Sequence, residues 1–272
     1  MAIRLKFDAN NNVQEPTFVL ANRSGQKLGV LPAYNYVLKE PFNGGSELIF
    51  KVNKYNNGEE FALWDKVKDF MLVWVREWDI WFEMSLELEE SNEVYKSITA
   101  KSLGVSELSQ IMLYDVEINT EDDIARDDYE KPTKFYNSDA KISLLNRLLE
   151  KAPHYSVKHV DDSLKSIQRS FSFSDKSIYD SFQEVAEEVE CLFIINSGTT
   201  DNGKIDRSIS VYDLNSYCLD CQNRGTFEKV CPKCKSTNVK PGYGKDTTIY
   251  VCKDNLSDSI NYTVDTDSVK NC

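Results

Sequence analysis

Two pairs of cysteines carry the clearest chemistry in this chain of 272 residues. Cys218 and Cys221 form one CxxC motif, Cys231 and Cys234 form a second, and nine residues separate the two motifs. Knuckles at this separation can turn four sulfur atoms toward one point, which is how a small loop binds a tetrahedral Zn²⁺ ion. The sequence therefore predicts a zinc site with these four cysteines as its ligands.

Two disulfides, an iron site and reactive thiols are the alternatives for the same four cysteines. Disulfides need an oxidising compartment, and residues 1–6 begin no apolar run as long as that of a signal peptide. A zinc site is therefore the preferred interpretation of these four cysteines. Because a four-thiolate site leaves no open position for water or substrate, such a zinc would contribute folding energy and not catalysis.

Charge and hydropathy limit the class of partner. The net charge is −12 and the isoelectric point is about 4.8, which argues against a general nucleic-acid binder, since such proteins neutralise phosphates. The cysteine loop is a local exception, because it contains six basic residues and only two acidic ones, Asp220 and Glu228. The basic residues are Arg224, Lys229, Lys233, Lys235, Lys240 and Lys245. Nucleic-acid binding by this loop is therefore one hypothesis for the function.

No stretch approaches the roughly 20 apolar residues that span a bilayer, so we expect no membrane partner and synthesis in the cytoplasm.

Other residues give little support for catalysis. The chain has two histidines, His154 and His159, and neither belongs to a metal-binding motif of the HExxH type. Cys191 stands among apolar residues and is interpreted as a core residue. We therefore predict no catalytic residues and no enzyme.

The first part of the chain, residues 1–118, is predicted to be a β-rich domain. β-Branched and aromatic residues are concentrated in short segments bounded by turn residues, which favours a barrel or a sandwich. The predicted strands are residues 17–20, 36–38, 48–52, 72–75, 80–88, 94–99 and 112–118. Short helices are predicted at residues 60–69 and 106–111.

In the second part of the chain, the spacing of apolar residues changes from the two-residue period of a strand to the period of a helix. Residues 119–215 are predicted to form an α+β domain, with a short helix at 144–149 and a longer helix capped by Ser174 or Asp175. Strands are expected at 191–195 and 209–212. Residues 216–245 form the zinc-binding loop, and residues 246–272 hold predicted strands at 247–252 and 259–264.

In their order along the chain, several segments resemble the N-terminal part of the prophage endopeptidase tail family, tail-associated proteins of phages of Gram-positive bacteria. No single motif is diagnostic, and it is the order that carries the resemblance over nearly the whole chain. The segments are residues 20–29, 47–52, 64–70, 117–129, 169–173, 178–180, 209–214, the two CxxC motifs and residues 243–249.

The resemblance implies an α+β architecture, in which a β-barrel-like tube domain is followed by a peripheral α+β domain with a zinc-knuckle loop. Proteins of this family are similar to baseplate hubs, which form a homotrimer at the virion tail tip. Two related barrels in each subunit continue the tail tube there. On this basis residues 1–118 are the tube (hub) domain, residues 119–215 the peripheral domain, and residues 246–272 the start of a second tube domain that is cut short.

The partners implied are distal tail and tube proteins, with genome DNA passing through the ring without specific binding. A bore that passes DNA should repel phosphate, so Glu83, Glu87 and Glu89 are predicted to line or rim it. The leading hypothesis is therefore a structural tail-tip protein. The alternative is a tail-associated peptidoglycan hydrolase, and in this family such a module lies further toward the C terminus.

Overall fold

The computed structural model describes residues 15–41, 44–125 and 132–243. Strands β1–β9 are Phe18–Ala21, Lys27–Val30, Ala33–Lys39, Glu47–Asn53, Tyr55–Asn56, Glu59–Glu60, Leu72–Val75, Ile80–Leu86 and Tyr95–Ser102. Strands β10–β19 are Met112–Leu113, Val116–Ile118, Ser156–Val160, Phe171–Phe173, Lys176–Ser177, Cys191–Ile195, Ser208–Asp213, Ser216–Cys218, Arg224–Gly225 and Val239–Lys240. Helices α1–α5 are Leu103–Ser109, Glu121–Ala125, Leu144–Leu148, Asp162–Lys165 and Ile178–Val189, and single 3-10 turns occur at Trp64–Lys66, Leu88–Glu90 and Ala140–Ile142.

A seven-stranded antiparallel sheet occupies the first part of the chain. Its strand order is β2-β1-β7-β8-β9-β4-β3. Side chains on β4 alternate between buried and half-buried, with Leu48, Phe50 and Val52 on the buried face, because successive residues of a strand point to opposite sides of the sheet. These side chains, with others from β1 and β7–β9, form the first hydrophobic core. The α+β class predicted from sequence is confirmed, and the pairing among the described strands is mostly antiparallel.

The β-barrel-like tube domain expected at residues 1–118 is not shown, because among the described residues the sheet does not close and ends in two edge strands, β2 and β3. The sheet does curl, since the ring of Phe18 on β1 lies 5.5 Å from Tyr36 on β3 and 5.1 Å from Phe50 on β4. These ring contacts join side chains from strands near the two ends of the sheet.

The helix predicted at residues 60–69 is also wrong, and only one 3-10 turn forms at Trp64–Lys66. Glu59–Glu60 instead pairs with Tyr55–Asn56 in a short hairpin. Lys96 donates hydrogen bonds of 2.8 Å to the carbonyls of both Trp64 and Val67.

A second hydrophobic core lies in the second part of the chain, where α5 packs beside a three-stranded sheet of order β12-β16-β15. The predicted apolar face of α5 is buried; it consists of Ile178, Phe182, Val185, Ala186 and Val189. The predicted cap is wrong, because Ser177 caps this helix by accepting a hydrogen bond of 3.0 Å from the amide of Asp180. Residues 174 and 175 precede the strand β14, which must end before the helix begins.

The strand predicted at residues 112–118 is divided in two by Asp115, which has a positive φ of 51°. Its two halves pair with the second part of the chain, β10 with β14 and β11 with β13. The domain boundaries proposed from sequence remain predictions. Residues 246–272, with the strands predicted there, lie outside the described residues.

The two cores are joined through a small cluster around Trp81 and through α1. The Trp81 amide donates to the carbonyl of Ser197 at 2.8 Å, and its indole Nε1 donates to Thr199 Oγ1 at 3.1 Å. Helix α1 contributes Leu103 to that cluster and Leu108 to the second core. In the part of the chain that the structure describes, no helix is long and apolar enough to cross a membrane.

Candidate metal centre

The fold brings all four predicted cysteine ligands together. Their sulfur atoms lie within 4.8 Å of one another, with 3.5 Å between Cys218 and Cys234 and 3.6 Å between Cys221 and Cys231. Four sulfurs bound at about 2.3 Å around a tetrahedral zinc ion would be about 3.8 Å apart. A disulfide would require about 2.05 Å, and all four cysteines are free thiols. The cluster therefore has the size of a four-thiolate metal site and could hold a metal ion.

The two knuckles share one backbone arrangement. The Cys218 amide donates to the carbonyl of Asn223 at 2.8 Å, and the Gln222 amide donates back to the carbonyl of Cys218 at 2.9 Å. Cys231 makes the same pair of bonds with Ser236 and Lys235, at 2.8 and 2.9 Å. Gln222 and Lys235, the fifth residue of each knuckle, both have positive φ, 58° and 64°. Each CxxC motif thus folds locally in the same way and presents two sulfurs to the same side.

The surroundings of the thiols favour partial ionisation. Burial opposes ionisation of Cys231, but the backbone amides of Cys234 and Lys233 and the neighbouring thiols outweigh it and lower its pKa to about 6. Burial, together with hydrogen bonds from the other thiols, raises the pKa of Cys221 to about 12. Thiols this close share their protons, and a divalent cation that replaced those protons would bind four thiolates.

The carboxylate of Asp220 links the two knuckles through hydrogen bonds. Asp220, inside the first knuckle, accepts a hydrogen bond from the hydroxyl of Ser236 and another, of 2.8 Å, from Asn238 Nδ2. These two donors lower the pKa of Asp220. Sequence reasoning counted Asp220 only as a charge and missed this role. The sequence did contain a signal for this contact, namely an aspartate inside one CxxC motif and a serine and an asparagine just beyond the other.

Arg224 fastens the loop to the second core. Its guanidinium donates two hydrogen bonds of 2.8 Å to the buried carboxylate of Asp213 at the end of β16. It also donates to the carbonyls of Val189 and Glu190 at the C-terminal end of α5. These carbonyls have no partner inside the helix and carry its partial negative charge, so a cation is favoured there.

Lys240 makes a second fastening on the other side of the loop. Its Nζ lies 2.7 Å from Asp161 Oδ1, and Asp161 Oδ2 accepts from the amide of Asp213 at 2.9 Å. Burial opposes ionisation of Asp161, but these two hydrogen bonds hold its pKa below the usual value. Arg224 and Lys240 were predicted only as members of a basic set. The pairing with Asp213 and Asp161 came from the fold.

The loop returns to the core at Gly242. A Cβ atom there would lie 2.2 Å from the carbonyl oxygen of Leu214, so only glycine allows the two backbones to meet. The next residue, Tyr243, stacks on Tyr212 with 4.5 Å between ring centroids. The part of the predicted loop beyond residue 243 lies outside the described residues.

The other candidate residues have structural partners. His154 lies 3.7 Å from Glu107 and His159 lies 3.3 Å from Asp161, both with exposed rings, and neither reaches the cysteine cluster. Cys191 is buried, and burial raises its pKa to about 12, so its thiol is not activated as a nucleophile.

The carboxylates predicted to line a bore differ in environment. Glu83 faces α1 of its own chain and accepts hydrogen bonds from Ser106 at 2.6 Å and Gln110 at 3.2 Å. Glu87 is exposed, and the side chain of Glu89 lies outside what the structure describes. The luminal position of these groups stays a prediction.

No family model and no curated protein matches the chain. The crystal structure of prophage tail protein gp18 from Listeria monocytogenes EGD-e is similar, with a TM-score of 0.43 and 12% identity, over 72% of this chain and 50% of that chain. The chain thus spans about half the length of that protein. A likeness at this TM-score and identity carries no argument about function.

Proposed function

We propose that this chain is a structural protein of a phage or prophage tail, a tail-tip or baseplate hub component that assembles as a homotrimer. The observation that carries the proposal is the order of the segments that resemble the tail-associated family. Residues 20–29 run through β1 and β2, residues 47–52 lie in β4, and residues 209–214 include most of β16. Because these segments include strands of both hydrophobic cores, β4 and β16, the resemblance concerns the framework of the fold and not one surface motif.

The geometry of the cysteine cluster supports a structural role. We propose that it binds Zn²⁺, with Cys218, Cys221, Cys231 and Cys234 as the ligands. Four thiolates fill a tetrahedral ion, so the ion would have no position for a substrate or an activated water. Its effect would be to fold a loop that has only short strands of its own, β17–β19.

The proposed function extends to the partners of the chain. The hub would join distal tail proteins to the tail tube at the virion tail tip. Genome DNA would pass through it without specific binding, and the net charge of −12 fits this role, since an acidic wall does not retain phosphate. No enzymatic activity is proposed for this chain.

The homotrimer can be tested by light scattering on the purified chain. We expect a species with three times the chain mass of 31.2 kDa, which electron microscopy should show as a ring. A monomer at every concentration would contradict the proposed assembly. In parallel, the chain is incubated with purified cell walls. Release of muropeptides would contradict the non-enzymatic role and favour the hydrolase.

A further inference from the structure

The outward side of the cysteine loop is an exposed surface that mixes apolar and basic side chains. We define the zinc tip as Leu219, Lys229, Val230 and Lys233. Leu219 is 55% exposed and Val230 is 47% exposed, and both lysines are exposed. The anchoring contacts of the loop are made by other residues, Arg224 and Lys240. The zinc tip takes no part in them, and its apolar side chains are exposed to water.

The two knuckles that carry the zinc tip are closed by hydrogen bonds. The second knuckle closes on itself through the two backbone bonds between Cys231 and residues 235 and 236. Ser236 and Asn238 bind Asp220 of the first knuckle, as described above. A surface that is already ordered loses little conformational entropy when a partner binds, so the exposed Leu219 and Val230 are suited to docking.

A second surface, on the opposite part of the chain, has the matching composition. We define the acidic turn as Leu88, Glu90, Glu93 and Val94, in the connection between β8 and β9. Leu88 is 77% exposed, the highest value among the exposed large apolar side chains of the described residues, and Val94 is 58% exposed. Glu90 and Glu93 are exposed beside them. This surface pairs two apolar side chains with two negative charges.

The acidic turn is ordered by its own side chains. Ser91 Oγ donates to the carbonyl of Glu87 at 2.7 Å and accepts from the Ser97 amide at 3.0 Å. Asn92 Oδ1 accepts from the amides of Val94 and Tyr95 at 2.8 and 2.9 Å. Like the zinc tip, the acidic turn is a preformed surface.

We propose that the zinc tip of one copy docks on the acidic turn of a second copy of this chain. The two apolar pairs, Leu219 with Val230 and Leu88 with Val94, would be buried against each other, with Lys229 and Lys233 facing Glu90 and Glu93. Contacts between two tips or between two turns would place the lysines or the glutamates of the two copies together, which is unfavourable. Charge therefore favours the head-to-tail arrangement.

A head-to-tail contact is heterologous, and it closes into a ring when the rotation between copies permits. The inference rests on the proposed function in one respect, namely that copies of the chain assemble. It adds which surfaces meet and in what direction. Each copy would use both surfaces, so a closed ring of three would leave none of them exposed.

Charge reversal in the full chain tests the contact. The variant Lys229→Glu/Lys233→Glu makes the zinc tip acidic, and Glu90→Lys/Glu93→Lys makes the acidic turn basic. We expect each variant to associate about tenfold more weakly than the wild type, as repulsion across the rim of an interface requires. The quadruple variant, which combines the two pairs of substitutions, again places opposite charges on the two surfaces and should restore association. Lys66→Glu/Lys204→Glu, which changes two exposed lysines elsewhere, is the matched control and should associate as the wild type does.

A photo-crosslinking amino acid in place of Leu88 gives a positional readout. Isotopically heavy and light chains are mixed, irradiated and digested, and crosslinks that join heavy to light peptides come from different copies. We expect such crosslinks to map to residues 217–233. Zinc content is measured for every variant, so that loss of the fold of the tip is recognised separately from loss of the contact.

The outcomes separate the inference from the proposed function. If the wild type assembles and the charge-reversed variants assemble equally well, or if crosslinks map elsewhere, the inference is overturned and the hub proposal stands. If the wild type remains a monomer, both the contact and the homotrimer are overturned. A third outcome would also overturn the inference. A DNA probe would shift at low salt with the wild type and not with Lys229→Glu/Lys233→Glu, and no crosslinks between copies would form. The zinc tip would then be assigned to nucleic-acid binding.

Discussion

At the scale of residues, the four thiols differ in their exposure to water. Cys218 and Cys231, the first cysteine of each knuckle, are buried, whereas Cys221 is half-buried and Cys234 is exposed. Each buried sulfur faces the later cysteine of the opposite knuckle, in the pairs Cys218 with Cys234 and Cys221 with Cys231. An ion bound there would join the two knuckles directly, because each contributes two of the four ligands.

Replacing one buried ligand should therefore release the metal and loosen the loop. In Cys231→Ser we expect metal analysis to find a loss of the single zinc ion per chain. Amide hydrogen exchange should accelerate across residues 216–240 and stay unchanged in the seven-stranded sheet, since the loop has no large core of its own.

The matched control for this prediction is Cys191→Ala. It also removes a buried thiol, but one that lies outside the cluster, and it should keep the zinc content of the wild type. Loss of zinc from Cys231→Ser without faster exchange in the loop would show that the ion has no structural role.

At the scale of elements, the loop is attached to α5 and β16 by one arginine. Arg224 satisfies the buried Asp213 carboxylate and the last carbonyls of α5 at the same time. The attachment therefore depends on a charge pair that is mostly removed from water. Loss of one partner from such a pair leaves the other charge buried and uncompensated.

We expect Arg224→Gln to lower the free energy of unfolding by about 3 kcal/mol, measured by chemical denaturation at neutral pH. Arg169→Gln is the control, because Arg169 and Glu188 form an exposed pair at 3.7 Å, which should contribute less than about 0.5 kcal/mol. Equal effects of the two substitutions would contradict the role assigned to Arg224.

At the scale of the whole molecule, α1 joins the Trp81 cluster to the second core, and one half-buried ionic network lies at this junction. Glu107 of α1 accepts hydrogen bonds of 2.8 and 2.7 Å from Arg207, which directly precedes β16, and one of 2.7 Å from the hydroxyl of Tyr155. Burial opposes ionisation of Glu107, but Arg207 and Tyr155 together hold its pKa below the usual 4.5. The network links α1, which contributes to the Trp81 cluster and to the second core, to the sheet of the second core.

This network makes a part of the stability depend on pH. Because the folded pKa of Glu107 lies below the unfolded one, its contribution is fully present above about pH 4.5 and is lost as the pH falls through the folded value. We expect Glu107→Gln to lower the free energy of unfolding by about 2 kcal/mol at pH 7, and the difference from the wild type to shrink below about pH 4.

The control for the pH series is Glu187→Gln, a substitution at an exposed position of α5, which should behave as the wild type at each pH. Unfolding is followed by denaturant titration across the pH range. A difference between Glu107→Gln and the wild type that stays constant down to low pH would show that ionisation of Glu107 is not involved.

The sequence by itself determined the features that depend on local pattern. CxxC spacing predicted which four sulfurs converge, because each knuckle is closed by hydrogen bonds within six residues. Hydrophobic period predicted the buried face of α5 and most strands of the large sheet, because burial on one face follows from the geometry of each element. The predicted cap of α5 was wrong, because the pairing of β14 with the distant strand β10 decides where that helix begins.

Only the tertiary structure decided the features that join distant residues. The sheet curls so that Phe18, Tyr36 and Phe50 come together from three strands, a contact that no local pattern contains. Arg224 and Asp213 are eleven positions apart, and Lys240 and Asp161 seventy-nine, so their pairing depends on how the chain returns to its core. The zinc tip and the acidic turn are likewise defined by what the fold leaves exposed, since burial is a property of the packed molecule.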